Sequence, residues 1–466
     1  MKHQFSEAPQ AKITRSRFNR SHGLKTTFDA GFLIPIFVDE ILPGDSMSLR
    51  MQGFARLSTP IHPIMDNMWL TSHFWFVPNR LTWENWQKFM GEQDNPGDST
   101  DFTIPQRTIQ VVGQNSLTDY FGLPVGDLTP GYQVSDLPYR AYNLIWRDWY
   151  RDQNLQDSPE INTGDTTLPL SDYPIRRRGK RHDYFTSCLP WPQKGPGVDL
   201  PLGTQAPIRN DGGAGTPIST LNTGVGQRDL LPVTDTTIIN NPITYTPGAE
   251  LYADLSSATA STINDLRQAF QIQKLQERDA RGGTRYTEIL KAHFGVTSPD
   301  SRLQRPEYLG GGRTAVQINS VPQTQRTDSG ESPQGNLAAF GTASLSGHGF
   351  TKGFVEHGYV IGLISVSADL TYQRGIDRHW SRSTKYDFYW PALQALGEQS
   401  VLNKEIFTDG SAADEDVFGY QEAWAEMRYK PSHITGLFRS TAPASLDAWH
   451  LSQDFQTRPE IGRAHV

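Results

Sequence analysis

The stretch that decides the fold is MWLTSHFWFVP, residues 68–78, because it is apolar at even and odd positions alike. Successive side chains of an extended strand point to opposite faces of a sheet. One face of this strand would carry Trp69, Trp75 and Val77, and the other Met68, Leu70, Phe74 and Phe76. A strand that is apolar on both faces is expected to be buried on both. The segment therefore predicts a strand inside a packed β structure.

Strand patterns also flank this segment. The apolar run at 28–40, FDAGFLIPIFVDE, ends at the turn residues 42–45, and apolar and polar residues then alternate over 46–52. This alternation predicts a strand with one solvated face. Gly53 interrupts it, so we expect a β-bulge or tight bend there. The segment HGYVIGLISVSADLTY, 357–372, is the strongest β pattern of the second half.

The composition fits a β-rich protein with many turns. The chain has 466 residues, 36% of them hydrophobic, with 41 glycines and 31 prolines. Its single cysteine excludes an internal disulfide and a cysteine-based zinc cluster. Short helices are expected near Thr82, after Asp136, and at 263–280 and 286–294. No apolar run approaches the roughly 18 residues of a membrane helix, so we expect no membrane insertion.

A long loop-like tract interrupts the β patterns. Residues 195–250 contain nine glycines, seven prolines and nine threonines, a composition typical of loops. The two predicted helices at 263–280 and 286–294 follow, and then polar, glycine-rich sequence to about Gly349. We therefore predict an insertion at about 195–349 that leaves the β body and returns to it.

Two basic segments stand out in a chain of net charge −7. The first is an amino-terminal arm, residues 1–30, and the second is the run RRRGKR that begins at Arg176. Lysine and arginine neutralise phosphates regardless of base sequence. The candidate nucleic-acid contacts are Lys12, Arg15, Arg17, Arg20, Lys25, Arg176, Arg177, Arg178, Lys180 and Arg181. For the run, a solvated charged surface is an equally good interpretation.

Three catalytic or ligand-binding patterns are weak. Cys188 follows His182 by six residues, but a buried, inert thiol is favoured over a nucleophile. The set of His348, Glu356 and His357 lacks the spacing of a metal motif, and the GGGR at 310–313 lacks the Lys-Ser/Thr ending of a phosphate loop. We therefore predict no catalytic residue, no cofactor and no metal site.

The chain resembles the major capsid proteins of the Microviridae, specifically the gokushovirus branch. Six blocks carry the resemblance: SRFNRSHGLKTTFDAG (16–31), DEILPGD (39–45), MDNMWLTSHFWFVPNRL (65–81), RRRGKRHDYFTSCLPWPQKG (176–195), RDARGGTRYTEILKAHFGV with SPDSRLQRPEYLGGG (278–312), and QEAWAEMRYKPS (421–432).

The resemblance implies an all-β-dominated fold, an eight-stranded jelly roll with long loop insertions that contain short helices. It would occupy 31–466 as a single domain. The resemblance also implies a T=1 icosahedral virion, built from pentamers of this chain with other virion proteins around circular single-stranded DNA, and assembled in the cytoplasm of a bacterial host. The tract at about 198–261 would be a surface protrusion that attaches to a host receptor.

The carboxyl end departs from the family pattern. The final residues, 461–466, match the translation of a common sequencing adapter, so we expect them to be read-through and the natural end of the body to be missing. A β-sandwich attachment or lectin-like protein is the alternative function. An enzyme on a β scaffold, with two facing carboxylates, comes third.

Overall fold

The computed structural model describes residues 14–198, 208–210, 219–220, 228–229, 251–253, 263–325 and 334–461. The strands in these residues are β1 (Ile34–Ile41), β2 (Ser46–Arg56), β3 (Met68–Pro78), β4 (Gln106–Val112), β5 (Gly126–Ser135), β6 (Ile208–Asn210), β7 (Ser219–Thr220), β8 (Arg228–Asp229), β9 (Leu251–Ala253), β10 (Glu307–Pro322), β11 (Leu337–Gly353), β12 (Gly358–Ala368), β13 (Thr371–Tyr372), β14 (Glu398–Leu402), β15 (Val417–Glu422) and β16 (Ser432–His433).

Helices occupy the connections between strands, as the sequence predicts. They are α1 (Asn79–Thr82), α2 (Trp86–Phe89), α3 (Leu117–Tyr120), α4 (Leu137–Ile145), α5 (Ile263–Gly282), α6 (Tyr286–Phe294), α7 (Asp300–Leu303) and α8 (Asn403–Ile406). A π-helical turn, Trp146–Tyr150, extends α4. Short 3-10 turns lie at Leu170–Asp172, Arg378–Ser381, Lys385–Asp387, Pro391–Leu393, Ala412–Glu415, Ala425–Met427, Gly436–Phe438 and Asp447–Trp449.

The eight longest strands pair in a nested, antiparallel order. Of these eight, the first pairs with the last (β1 with β12), the second with the seventh (β2 with β11), the third with the sixth (β3 with β10), and the fourth with the fifth (β4 with β5). Further pairing joins six of them in the order β1-β12-β3-β10-β11-β2. Nested antiparallel pairing of eight strands is the topology of a jelly roll. The predicted fold class is therefore confirmed.

Strand β3 is buried on both faces, as its sequence predicts. On one face Trp75 and Val77 pack against Tyr139 and Tyr142 of α4. On the other face Phe74 packs in a cluster with residues of β11 and β12. The aromatic residues of α4 thus cover the sheet, as helical spacing of apolar residues favours.

Three glycines let β10 approach its neighbours closely. A Cβ on Gly311 would overlap the backbone carbonyl of Ser72, and one on Gly312 would overlap the imidazole ring of His348. A Cβ on Gly310 would lie 2.5 Å from the carbonyl oxygen of Gly349. The GGG of the GGGR segment is therefore a packing device of the sheet, where only glycine leaves enough space.

The irregularity expected at Gly53 lies in the partner strand instead. The residues of β2 alternate in exposure along the whole strand, which leaves the Phe54 ring 74% exposed. The pairing register shifts in β11, between Leu345 and His348. One extra residue lies on β11 there, next to Gly53, and Leu345 Cδ1 is 3.1 Å from where a Cβ on Gly53 would be.

The predicted insertion at 195–349 is wrong at its end. Strands β10 and most of β11 lie within it, yet they pair with β3 and β2 in the main sheet. The excursion between β5 and β10 ends at 306. The two strands resemble a loop in sequence because both are rich in Gly, Ser and Thr and expose alternate residues to solvent. Most of 198–261, the predicted protrusion, lies outside the described residues, as do Lys12 and 462–466.

A second apolar cluster joins the basic run to the carboxyl-terminal part of the chain. Tyr184, Phe185 and Cys188 pack there with Tyr372 and Phe418. Cys188 is buried, and its thiol donates to the carbonyl oxygen of Tyr184 at 3.3 Å. Burial raises the pKa of this thiol, so the reactive thiolate is disfavoured. The interpretation as a packed thiol is the one the contacts support.

Candidate nucleic-acid interface

The described part of the basic arm, residues 14–30, is mostly exposed and contacts strand β1 of the jelly roll. Arg20 pairs with Asp39 of β1 at 2.7 Å, and the His22 ring stacks on Phe37 with centroids 5.9 Å apart. Arg15, Arg17 and Lys25 are also exposed; within the described chain, these three form no ion pair. The arm therefore presents cationic groups that remain available to an external anion.

Three of the five basic residues in the run bond to the protein itself. The Arg176 guanidinium lies over the Trp146 ring at 4.9 Å and donates to Asn143 Oδ1. Arg178 donates to Ser365 Oγ at 2.9 Å, and Lys180 donates to Gln453 Oε1 at 3.3 Å. Burial lowers the pKa of all three groups. These side chains fasten the run to the body.

The other two, Arg177 and Arg181, are exposed. Arg177 lies over the Phe32 ring at 4.9 Å, and its backbone bridges to the same residue. The side chain of Arg181 is 69% exposed and approaches Asp369 at 3.5 Å. The structure thus separates the run into an inward-facing and an outward-facing set, which the linear sequence does not distinguish.

Asp369 gathers cationic and aromatic groups from distant parts of the chain. It accepts from Trp69 Nε1 at 3.3 Å and lies 3.5 Å from both Arg181 and Arg313. The Arg313 guanidinium stacks over the Trp69 ring at 3.8 Å. We call Trp69, Arg181, Arg313 and Asp369 the Asp369 cluster. It holds two guanidinium groups against one carboxylate.

Sequence reasoning missed Trp69 and Arg313 as members of this site. Trp69 belongs to the apolar pattern of β3, and Arg313 belongs to the glycine-rich GGGR segment. In the sheet, Thr71 pairs with Arg313 and Trp69 pairs with Ala315, so the two side chains are diagonal neighbours on one face. Only the register of β3 and β10 shows this.

The residues of the weak metal pattern do not come together as ligands. The two ring nitrogens of His348 lie 2.7 and 2.8 Å from Ser72 Oγ and Thr314 Oγ1. Glu356 accepts from Arg80 at 2.6 Å, and the His357 ring contacts Trp86. In the described part of the chain, no three His, Cys, Asp or Glu side chains are grouped so that they could hold a metal ion.

His73 lies under the basic run, in the sheet. Its Nδ1 is 2.7 Å from the hydroxyl of Tyr150, and Trp75 and Tyr308 contact its ring. Burial, and then the nearby charge of Arg178, lower the pKa of His73 from 6.5 to about 4. The imidazole is therefore neutral near pH 7, and its protonation opposes the folded state.

We expect His73 to destabilise the subunit in acid. The unfolded chain binds the proton near pH 6.5 and the folded chain only near pH 4, so stability falls as pH decreases through this window. The loss should reach roughly 2 kcal/mol by about pH 5. Chemical denaturation at several pH values would show a weaker pH dependence in His73→Gln. The control His22→Gln, at an exposed ring, should retain the parent's dependence; equal slopes in parent and His73→Gln would contradict the assignment.

The fold narrows the class of protein. Jelly rolls with eight strands occur in viral capsid proteins, lectins and cupins. No helix in the described ranges combines the length and apolarity needed to cross a lipid bilayer. Among these classes, a jelly roll with an exposed basic segment and a cationic, aromatic cluster favours a viral coat subunit, because both features suit contact with nucleic acid.

Comparison with known proteins identifies the family. A model of the family "Capsid protein (F protein)" matches residues 6–466. The chain is 49% identical to capsid protein VP1 of Bdellovibrio phage phiMH2K over 486 residues, covering all of this chain and 90% of the relative. It is 42% identical to capsid protein VP1 of Chlamydia phage 1, covering all of this chain and 91% of the relative. For capsid protein VP1 of Spiroplasma virus 4 the identity is 37%, over 98% and 88% of the two chains.

The chain belongs to the capsid protein (F protein) family. The resemblance to gokushovirus-type Microviridae is confirmed, since all three relatives are of that type. The protein is a major capsid protein and a virion component, and its role is structural. This finding displaces the alternative of a lectin-like attachment protein.

Proposed function

We propose that this capsid protein assembles from pentamers into a T=1 shell around circular single-stranded DNA, and that it contributes no catalytic activity. Similarity over the whole chain to capsid proteins supports a shell, and the exposed excess of cationic groups supports a DNA content. Assembly would take place in the cytoplasm of the bacterial host, together with other virion proteins. The tract at 198–261 would project outward and bind a host receptor.

The genome contacts would be the basic arm and the outward-facing residues of the run. In the arm, the exposed cationic side chains are those of Arg15, Arg17 and Lys25. In the run, they are those of Arg177 and Arg181. The Asp369 cluster adds Arg313 and the Trp69 indole. Guanidinium groups release counterions from phosphates, and an aromatic ring offers a stacking surface to an unpaired base. The inward-facing Arg176, Arg178 and Lys180 would act indirectly, by fixing the position of the run.

The salt dependence of DNA binding tests this division. The binding constant for single-stranded DNA falls as the salt concentration rises. We expect the variant Arg177→Gln/Arg181→Gln/Arg313→Gln to reduce the magnitude of the slope of log K against log salt concentration by about 2, at about 0.7 per phosphate contact. Fluorescence anisotropy with a labelled oligonucleotide would measure it. The control Lys88→Gln replaces a partly exposed cation beside Asp94 and should leave the slope unchanged. An unchanged slope in the triple variant would exclude these side chains as genome contacts.

A further inference from the structure

Five exposed aromatic residues lie within 380–390, in the carboxyl-terminal part and far in sequence from the basic segments. The aromatic surface, as we call it, comprises Trp380, Tyr386, Phe388, Tyr389 and Trp390, which are 76%, 65%, 52%, 41% and 51% exposed. Monomeric proteins seldom leave so many large apolar rings of one short segment in solvent. Such a group marks a place where another molecule binds.

This segment is held in a defined conformation although it contains no long helix or strand. The backbone amides of Ser383 and Thr384 donate to Asp387 Oδ2 at 2.9 and 2.7 Å. These bonds lower the pKa of Asp387, whose charged form accepts them. Trp390 Nε1 donates to the Lys385 carbonyl at 2.8 Å. The rings are therefore presented in fixed positions, which reduces the entropy lost on binding.

Residues 424–430 contact the segment that carries the aromatic surface. Arg382 pairs with Glu426 at 3.1 Å, and Lys430 pairs with Asp377 at 2.5 Å. The Tyr389 ring meets the Trp424 ring at 5.5 Å. These contacts join 377–390 to 424–430, so the segment that carries the rings is fastened to the folded body.

The charges around the rings are balanced, which separates this surface from the Asp369 cluster. Arg382 and Lys430 each have an acidic partner, and Lys385 lies over the Tyr386 ring near Asp387. Single-stranded DNA requires an excess of cations as well as rings. The cores of protein interfaces are instead rich in aromatic residues and arginine and poor in unpaired charge. The composition therefore favours a protein partner.

The available area matches one side of a protein interface. At about 200 Å² for each ring, the five side chains leave roughly 500–600 Å² of aromatic surface in solvent. A stable interface buries about 800 Å² on each partner. The rings would thus form most of the apolar core, with the paired charges at the rim.

We propose that the aromatic surface is a contact between copies of this chain in the shell. The partner is a second copy because the protein belongs to a capsid family and must bury large surfaces against itself to build a wall. A closed ring of subunits uses two different surfaces of each subunit. The aromatic surface of one copy would therefore contact a different face of the neighbouring copy. The inference requires that the chain assembles and does not depend on DNA packaging.

The test uses the full chain and follows assembly by analytical ultracentrifugation. We expect the variant Trp380→Ala/Tyr386→Ala/Phe388→Ala to raise the concentration at which particles form at least tenfold, because central aromatic residues dominate interface energies. The single variant Trp380→Ala, at a ring 76% exposed, should shift it in the same direction without a change in thermal unfolding. The control Ile61→Ala/Met65→Ala/Val355→Ala removes apolar groups of similar exposure from other loops and should assemble as the parent does.

Several results would overturn the proposal. Normal assembly of the triple variant would remove the aromatic surface from the shell contacts. An equal loss in the control would show a general effect of exposed apolar residues. Normal assembly with weaker retention of single-stranded DNA would assign the rings to nucleic acid. A parent chain that does not assemble would instead argue against the proposed shell. The salt dependence of DNA binding is a separate measurement and does not depend on assembly.

Discussion

Replacement of Asp136 by Ala is expected to lower the free energy of unfolding by about 3–5 kcal/mol, because it leaves two buried guanidinium groups without their anion. Asp136 is fully buried, and the side chains of Arg107 and Arg140 are 5% and 2% exposed. Arg107 Nε and Arg140 Nε each donate to a different oxygen of the carboxylate at 2.6 Å. The aspartate thus lies at the centre of a buried charge network.

The network fastens the helix that covers the sheet. Arg140 also donates to the carbonyl oxygens of Thr82, Gly164 and Thr166. Losing the aspartate would therefore loosen α4, the end of α1 and the loop at 164–166 that these bonds hold. Urea denaturation of the purified subunit would measure the change. The matched control is Asp39→Ala, which breaks the pair with Arg20, whose side chain is 68% exposed, and should cost less than about 1 kcal/mol. Similar losses in both variants would contradict the network's role.

Substitution of Gly311 by Ala is the second large effect that we expect, roughly 3 kcal/mol or more of lost stability. The added Cβ would overlap the backbone of Ser72 in β3, which has no rotamer through which to move away. Strands β3 and β10 would have to separate, at the centre of the six-stranded sheet.

The matched control for this substitution is Gly113→Ala, because nothing lies within 4 Å of its added Cβ. Its effect should stay within about 0.5 kcal/mol. Thermal unfolding of the three proteins would compare them. A Gly311→Ala subunit as stable as its parent would show that β10 does not lie this close to β3.

The sequence predicts the strands whose side chains follow a clear pattern. Strand β3 shows apolar residues on both faces, and both faces are buried; β12 shows the same pattern and lies next to it in the sheet. Strand β10 escapes prediction because Gly310–Gly312 carry no side chain through which a period could be recognised. Its central place depends on the space that glycine leaves, a tertiary effect that no local pattern contains.

The sequence likewise predicts only part of the candidate nucleic-acid interface. The basic run is visible as a run of charges, but whether a given arginine points inward depends on partners far away in sequence, such as Ser365 for Arg178 and Asp369 for Arg181. Burial of the charged side chains thus decides which of them can meet a phosphate. Trp69 and Arg313 enter the site only through the pairing of β3 with β10.

Cryo-electron microscopy of particles assembled from the full chain with circular single-stranded DNA tests the central claim most directly. We predict a closed T=1 shell in which each subunit is the nested eight-stranded jelly roll, with DNA density against Arg181 and Arg313 on the inner face. A closed shell that carries these two arginines on its outer face would contradict the proposed packaging role. Particles of another symmetry, or a chain that remains monomeric with DNA present, would contradict the account of the shell itself.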